Sequence, residues 1–346
     1  MPELKLYTVA ELRAWLEHNQ AVEGLSELIV SPTRAWAIVN NPYVKEDDPV
    51  VAAIFVEGEN AAYTTAFPEM IGDQRYWWFS ALWCSPKFEG NGYGLIVIGS
   101  LVEVYGAEYC LDRWGAKETV EMFAYFGHKV TYTPRYQLGS KINRSTTKGK
   151  WVYALRNLQI TMRRACAKYK NEDYTLRYMS IIDDATYAFI QAHRGNDYFE
   201  HKHAYLNWIL HYPFTISAPL IEKVDNKMPF SQSEMPDTQL YAVQVRDKGT
   251  VIGFYIMKKK EDTLHILYLY YDELKQEQVF ASIRDHVRHM RMAQCVTEDV
   301  KLRDYLLKQI YFPKHSIAQV SFSTPDGMQQ PQVGQVQYGD GDCFVA

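Results

Sequence analysis

Residues 76–94 read YWWFSALWCSPKFEGNGYG, a near-continuous apolar and aromatic run that stops at a proline and passes into three closely spaced glycines. Apolar residues without helical spacing describe a buried strand, which Ser85-Pro86 ends. Behind the glycines, residues 95–105 (LIVIGSLVEVY) are apolar on most faces of a helix and are expected to be buried. The unit is strand, glycine loop, helix. A glycine loop at a helix N-terminus presents unpaired backbone N–H groups, with no side chain to hold a ligand off, and this suits a phosphate.

The rest of the composition bounds what such a unit can belong to. At 346 residues the chain is long for a single core, so two domains are expected. Hydrophobic residues make up 47% and charged residues 23%, the balance of an ordinary globular protein. No apolar run reaches the length of a membrane span, and MPELKLYTVAELRAW lacks the basic region and apolar core of a secretion signal. A cytoplasmic location without membrane contact is therefore expected. The formal charge of −4 gives no electrostatic reason for a nucleic-acid partner. Five cysteines (Cys84, Cys110, Cys166, Cys295, Cys343) are scattered with no CxxC pair, which argues against a disulfide framework and against a metal site. The 26 tyrosines and 8 tryptophans point to aromatic cores before aromatic pockets.

Taken in order, residues 8–19 place Leu12, Trp15 and Leu16 on one helical face. Ser31-Pro32 offers a cap and a first-turn proline for a short helix that Asn41-Pro42 ends. Residues 50–56 and 61–67 read as a hairpin around EGEN. After the glycine unit come a short strand over 108–114, a helix over 117–126 with Gly127 as its stop, and strand-like pieces over 129–143. Residues 148–170 are rich in Lys and Arg with interleaved Trp, Leu, Ile and Met. They could form an exposed nucleic-acid patch, but a connecting strand and helix is favoured.

The second half repeats this order without its sequence. A strand over 173–179, helices over 183–193 and 203–210 and a polar turn-rich segment over 226–237 precede a second hairpin, 240–245 with 251–257 around RDKG. A long aromatic strand over 263–271 and a helix over 273–290 follow. Between these two the chain reads YYDELKQEQ, without glycine, so no phosphate loop is expected there.

The run PKFEGNGYG between a strand and a buried helix resembles the Q/R-x-x-G-x-G/A motif of the GCN5-related N-acetyltransferase superfamily. Setting the motif's last two glycines on Gly92 and Gly94 puts Glu89 where the family has Gln or Arg. ETVEMFAYFGH over 118–128 resembles the helix that follows in the family, and the EGEN hairpin fits before the motif strand. The resemblance spans roughly residues 31–130; in the second half it is only the order of elements. It implies an α/β fold of the α+β type, tandem GNAT-like domains with mixed, mostly antiparallel sheets flanked by helices. The expected division is an acetyl-CoA-binding domain over 1–150, a connecting segment over 151–171, and a degenerate GNAT-like domain without a phosphate loop over 172–346.

The resemblance also implies acetyl-CoA as co-substrate. Its pyrophosphate is expected on the N–H groups of Glu89, Gly90, Asn91, Gly92, Tyr93 and Gly94, helped by the helix dipole. Its pantetheine arm is expected along Leu82, Trp83 and Cys84, where a backbone N–H would stabilise the oxyanion. Lys87 and the dipole are expected to offset the charge of Glu89. The family's thiolate-protonating Tyr falls on Phe123, with Tyr125 two residues later, and its common Asn falls on Ala116.

An amine acceptor must lose a proton before it attacks a thioester. Glu57 and Asp112 are candidate bases, Tyr125 is the leading acid and Cys110 a weaker one, while Cys84 reads as a strand residue and not a nucleophile. The cluster HRGNDYFEHKH over 193–203 lacks helical metal spacing and reads as a surface loop or cleft rim. YLNWILHY over 205–212 reads as inter-domain packing. The turn-rich tail GDGDCFVA reads as a segment outside the core that docks across the second domain. The function this supports is acetyl transfer to a small-molecule amine by direct attack on the thioester. Two others stay open: aminoacyl transfer from tRNA on the same tandem fold, and CoA binding without catalysis.

Overall fold

The computed structural model describes residues 1–18, 32–113, 117–139, 147–166, 172–212, 238–312, 314–332 and 334–341. The expectations for Ser31, Ala116, residues 226–237 and Cys343 lie outside the described residues. The first half runs β1 (Pro2–Thr8), α1 (Val9–His18), α2 (Pro32–Val39), β2 (Pro49–Val56), β3 (Glu59–Ile71), β4 (Gln74–Cys84), α3 (Tyr93–Tyr105), β5 (Cys110–Arg113), α4 (Lys117–Tyr125) and β6 (Lys129–Leu138). Beyond α5 (Thr147–Cys166) the second half runs β7 (Thr175–Met179), α6 (Asp184–His193), α7 (His203–His211), β8 (Thr238–Asp247), β9 (Thr250–Lys260), β10 (Thr263–Tyr271), α8 (Gln276–His289), β11 (Gln294–Thr297), α9 (Val300–Gln309) and β12 (His315–Thr324).

Both expected hairpins form for the expected reason. Glu57 and Gly58 (φ 54° and 81°), and Lys248 and Gly249 (φ 47° and 90°), supply the positive φ pair that a two-residue hairpin turn demands. β1 escaped the sequence reading because it is a short edge strand paired only with β2 and mostly exposed, with Leu4 and Leu6 of its alternating run facing solvent. The basic segment is one helix, α5, where a strand and a helix were expected. α3 is buried through Val97, Ile98, Leu101 and Val102, but its apolar outer face is open, with Ile96 47% exposed.

The strands form one sheet in the order β1-β2-β3-β4-β5-β12-β6-β11-β10-β9-β8-β7. Replacing each of the first six strands by its counterpart six later gives the same order read backwards, so the halves are related by an approximate twofold. Each half lends its sixth strand to the other: β12 pairs with β5, β6 pairs with β11, and the two pair with each other. The core is shared as well. Trp78 of β4 packs edge-on against Phe199 at 5.3 Å and Phe322 of β12 at 5.7 Å. The aromatic face of α7 packs between the halves, with Trp208 Nε1 donating to Ala37 O of α2 at 2.8 Å. Among the described residues no helix is long and apolar enough to cross a membrane.

At the junction of the halves sits a buried charge network. His201, expected in a surface loop or cleft rim, is sealed inside: Nδ1 donates to Glu69 Oε1 at 2.6 Å and Nε2 to Asp340 Oδ1 at 2.8 Å. Two carboxylates facing both ring nitrogens require an imidazolium. Burial alone would drive the ring neutral, but Glu69 and Asp340 overcome it and push its pKa up to about 10. Glu69 also accepts from Trp78 Nε1 at 2.6 Å. Arg113 of β5 reaches Glu298 at 2.6 Å and Asp340 at 3.7 Å, and Arg135 of β6 reaches Glu298 at 3.0 Å. Nearby, burial pushes the Asp197 carboxyl up to about 7, while Gln337 Nε2 donates to it.

These shifts set a pH dependence. Folded Asp197 keeps a proton that the unfolded chain loses at 3.8, and folded His201 keeps one that the unfolded chain loses at 6.5. The His201 contribution is fully present below pH 6.5 and disappears as pH rises to about 10; that of Asp197 declines from 3.8 to about 7. The melting temperature is therefore expected to fall from pH 6 to pH 10. His201→Ala, which strands two buried carboxylates, is expected to cost roughly 3–5 kcal/mol at pH 6 and to flatten that fall, as read by calorimetric melts.

Candidate functional site

β4 and β5 run parallel, but their ladder has only two rungs, Trp77 with Cys110 and Trp78 with Leu111. Beyond Trp78 the strands part. The β3–β4 register slips by one residue between Tyr63 and Thr65, and Ala81 sits at φ 56°, the mark of a bulge. Thr65 Oγ1 donates to Ser80 O at 2.8 Å and Arg34 of α2 donates to Ser80 Oγ at 2.5 Å, which fixes the strand just before the bulge. Leu82, Trp83 and Cys84 then present a partly exposed edge with no β5 rung opposite it.

The chain continues through a single 3-10 turn, Pro86–Phe88, into two left-handed glycines, Gly90 (φ 84°) and Gly92 (φ 72°). Gly92 caps α3, whose first N–H groups have no partner within the helix. A Cβ built on Gly90 or Gly92 would meet nothing within 4 Å, so no neighbouring group stands against the side-chain side of these two glycines; within the loop Asn91 N donates to Phe88 O at 3.4 Å. Gly94 serves differently. A Cβ there would lie 3.0 Å from Cys84 Sγ and 3.2 Å from Met122 Cε, so its bareness lets α3 approach the end of β4 and α4. The six residues from Glu89 to Gly94 and the strand end at 82–84 thus come together at one place, with the positive end of the α3 dipole over it.

The electrostatics differ from expectation in one respect. Lys87 is paired with Glu59 at 2.6 Å on the surface and lies over the Phe88 ring, so it does not answer Glu89. Glu89 is exposed, which leaves the anion-binding capacity of the loop to the main chain and the dipole. Burial pushes the Cys84 thiol up; an N–H of Gly94 opposes this and Glu89 adds to it, leaving a neutral thiol and a poor nucleophile.

The proposed proton-transfer residues are spread over three elements. Asp112 is buried on β5, one residue past the last rung, at the floor of the wedge between β4 and β5. Glu57 stands exposed in the β2–β3 turn, and Ser85 N donating to Ala61 O at 2.8 Å ties β3 to the end of β4. Tyr125 is 76% exposed with its ring edge-on to Phe126. The α4 residue that faces β4 is Phe123, fully buried 5.2 Å from the ring of Phe79. Cys110 donates its thiol proton to Gly106 O, and burial pushes its pKa well up. Sequence reasoning missed Ser80, Ala81, Thr65 and Arg34 at the bulge. Only Arg34, the lone cation of α2, carried any signal.

The symmetry-related wedge lies between β10 and β11. Their rungs end at His265 with Val296, and β10 slips register against β9 between Ile266 and Tyr268, as β4 does against β3. This wedge is filled by the chain's own tail. Gly339 N donates to Leu267 O at 2.8 Å, Leu269 N donates to Gln337 Oε1 at 2.7 Å, and His265 Nδ1 meets the Tyr338 hydroxyl at 2.9 Å. Of the segment 339–346, expected to lie outside the core, residues 339–341 are described and Asp340 is buried, as are Val336 and Tyr338 just before it, because a pre-formed strand edge and the His201 imidazolium absorb its polar groups. Only glycine passes at 339, where a Cβ would lie 2.4 Å from the Tyr268 ring. A cavity of about 410 Å³ remains beside the tail, lined by Asp197, Leu269, Tyr271, Asp299 and Gln337 among others.

No family model and no curated protein matches the chain. Solved structures do. A Pyrococcus horikoshii protein named for acetyltransferase activity covers 98% of this chain and 93% of its own, at a TM-score of 0.52 and 9% identity. A conserved Enterococcus faecalis V583 protein of unknown function covers 93% and 72%, at 0.50 and 10%. Saccharomyces cerevisiae N-myristoyltransferase, solved with bound myristoyl-CoA, covers 93% and 78%, at 0.50 and 8%. At these identities the likeness is one of fold.

If the glycine loop is an anion site, Gly92→Val is expected to abolish binding of a CoA ligand, measured by calorimetry, while the chain stays folded by circular dichroism. The left-handed backbone adds about 1–2 kcal/mol of strain. Gly92→Asn, which tolerates that backbone, separates strain from blockage. Unchanged affinity in the valine variant would sink the placement.

Proposed function

We propose that this chain, which carries the GCN5-related N-acetyltransferase fold twice in tandem, is an acyl-CoA-dependent N-acyltransferase that works through its first half alone. One observation carries the reading: the bulged, open edge of β4 runs directly into an unobstructed glycine loop at the start of α3, while the same edge in the second half is occupied by the tail. A CoA pyrophosphate would be held by N–H groups of the segment 89–94, and the pantetheine amides by the edge of residues 82–84. Acetyl is the acyl group proposed, and a small-molecule amine the acceptor.

The chemistry asked of the chain is modest. A main-chain N–H at the bulge, aimed where the thioester oxygen gains charge, lowers the barrier to attack without any special side chain. Asp112 is the carboxylate placed at the wedge and is the base this reading favours; Glu57 stands exposed in the β2–β3 turn. The leaving thiolate takes its proton from water, because Phe123 has none to give and Tyr125 faces solvent. Tyr125→Phe is therefore expected to change kcat by less than about twofold, whereas a general acid would show 10²-fold or more.

A second reading, CoA binding without transfer, is favoured by the buried Phe123 ring. Turnover across a panel of amines, followed as free thiol release, separates the two. Titration with acetyl-CoA is expected to give one equivalent per chain. No binding at millimolar ligand would end both readings, and two equivalents would contradict closure of the second wedge by the tail.

A further inference from the structure

Beside the tail in the second wedge lies a cavity of about 410 Å³ that no part of the proposed acyl transfer uses. Its volume is in the range that holds small organic ligands. The floor is apolar, formed by the buried side chains of Ile266, Leu267, Leu269, Val336 and Tyr338. Four carboxylates line it, Asp197, Glu273, Glu298 and Asp299, against two cations, Arg194 and Lys301. What the cavity can hold follows from which of these charges are already answered.

Lys301 Nζ donates to both oxygens of Glu273, at 2.8 and 2.7 Å, and Arg194 faces Glu200 at 3.5 Å. Glu298 is engaged twice, by Arg113 at 2.6 Å and by Arg135 at 3.0 Å. Asp299 caps α9: Oδ1 accepts from Leu302 N at 2.7 Å and Oδ2 from the Tyr271 hydroxyl at 3.3 Å. Asp197 has less. Its Oδ2 accepts from the neutral amide of Gln337 at 2.5 Å, and among the described residues no hydrogen bond reaches Oδ1 and no cation pairs with the carboxylate. Burial pushes this carboxyl up to about 7, with Asp340 adding to the rise and Gln337, His201 and Arg194 opposing it. Both cations of the lining are thus spent on other carboxylates, and the charge of Asp197 forms where its own chain does not compensate it.

We propose that this cavity binds a small organic cation, a primary ammonium carried on an apolar chain or ring, with the ammonium on Asp197 and the apolar body against Ile266, Leu269 and Val336. An ammonium supplies the missing positive charge together with three hydrogen-bond donors. Other ligands fit less well. An anion would meet two carboxylates that have no cation of their own. A metal ion would need several ligands at once, and among the described residues no group of three His, Cys, Asp or Glu side chains could hold one. The cavity is also separate from the first wedge, since three strand spacings, about 14 Å, lie between β5 and β11. It is therefore independent of the acyltransferase reading. A ligand there would touch Gln337 and Val336 of the tail as well as β10, and so would hold the tail in its wedge.

Calorimetric titration of the full chain with 2-phenylethylamine and n-hexylamine tests this, with 2-phenylethanol as the neutral isostere. At pH 8 an amine is expected to bind at millimolar concentration, and the alcohol at least about tenfold more weakly. From pH 8 to pH 6 the amine affinity is expected to fall about tenfold, because Asp197 takes up a proton at about 7 while the amine stays charged. Asp197→Asn, close in shape to the protonated carboxyl and so expected to stay folded, should lose at least about tenfold in affinity at pH 8 and show no such pH dependence. Asp112→Asn, in the first wedge, should leave the affinity unchanged. No binding of either amine, equal binding of the alcohol, or unchanged affinity in Asp197→Asn would each overturn the proposal. Loss of binding in Asp112→Asn alone would also overturn it, by placing the amine in the first wedge, and would support the acyltransferase reading.

Discussion

An imidazolium held between two carboxylates inside a protein is costly to assemble, since each buried ion gives up several kcal/mol of hydration. Here the cost is offset only when every member is present. Glu69 comes from β3, His201 from the approach to α7, Asp340 from the tail, Arg113 from β5, Arg135 from β6 and Glu298 from the end of β11. The network therefore makes the two halves, the exchanged sixth strands and the tail conditional on one another. The network sets three buried cations against three buried carboxylates, so removing one member leaves the interior unbalanced by a full charge, which is a stronger demand than apolar packing between the same surfaces would make.

That dependence explains how one symmetric sheet comes to hold two different wedges. Both β4 and β10 bulge, part from their parallel neighbours and expose an edge that can pair with an extended amide chain. In the second half the tail, pinned by Asp340 to His201, supplies that chain, and the helix that follows β10 begins without a glycine loop. In the first half the edge and the loop stay accessible. Symmetry supplies two such edges, and the tail held through Asp340 covers one of them.

Much of the local structure at the candidate site was legible because it is written in local rules. Proline ended β4, glycines opened α3, and positive-φ turns closed both hairpins; each depends on residues within a few positions of itself. The bulge at Ala81 was not legible, since alanine carries no preference for its left-handed φ and the slip is set by how β3 and α2 hold Ser80. Tyr125 and Phe123 show the same limit. Their spacing on α4 is plain in the sequence, but which of them faces β4 depends on how the helix is rolled against Phe79.

By itself the sequence determined the kinds of element, their order and its repetition, and the position of the one glycine loop, because hydrophobic period, proline and glycine act over short range. Tertiary structure decided that His201 is an internal cation, that Asp340 of the turn-rich tail is buried, that the sixth strands are exchanged, and that the apolar residues Trp151, Leu155, Leu158 and Met162 of α5 are left outside. All four turn on which distant segments share a volume, and the free energy of burying a charge or a polar backbone changes sign with what lies beside it. A residue's neighbours in space set that term, and for these segments they lie far away in the chain.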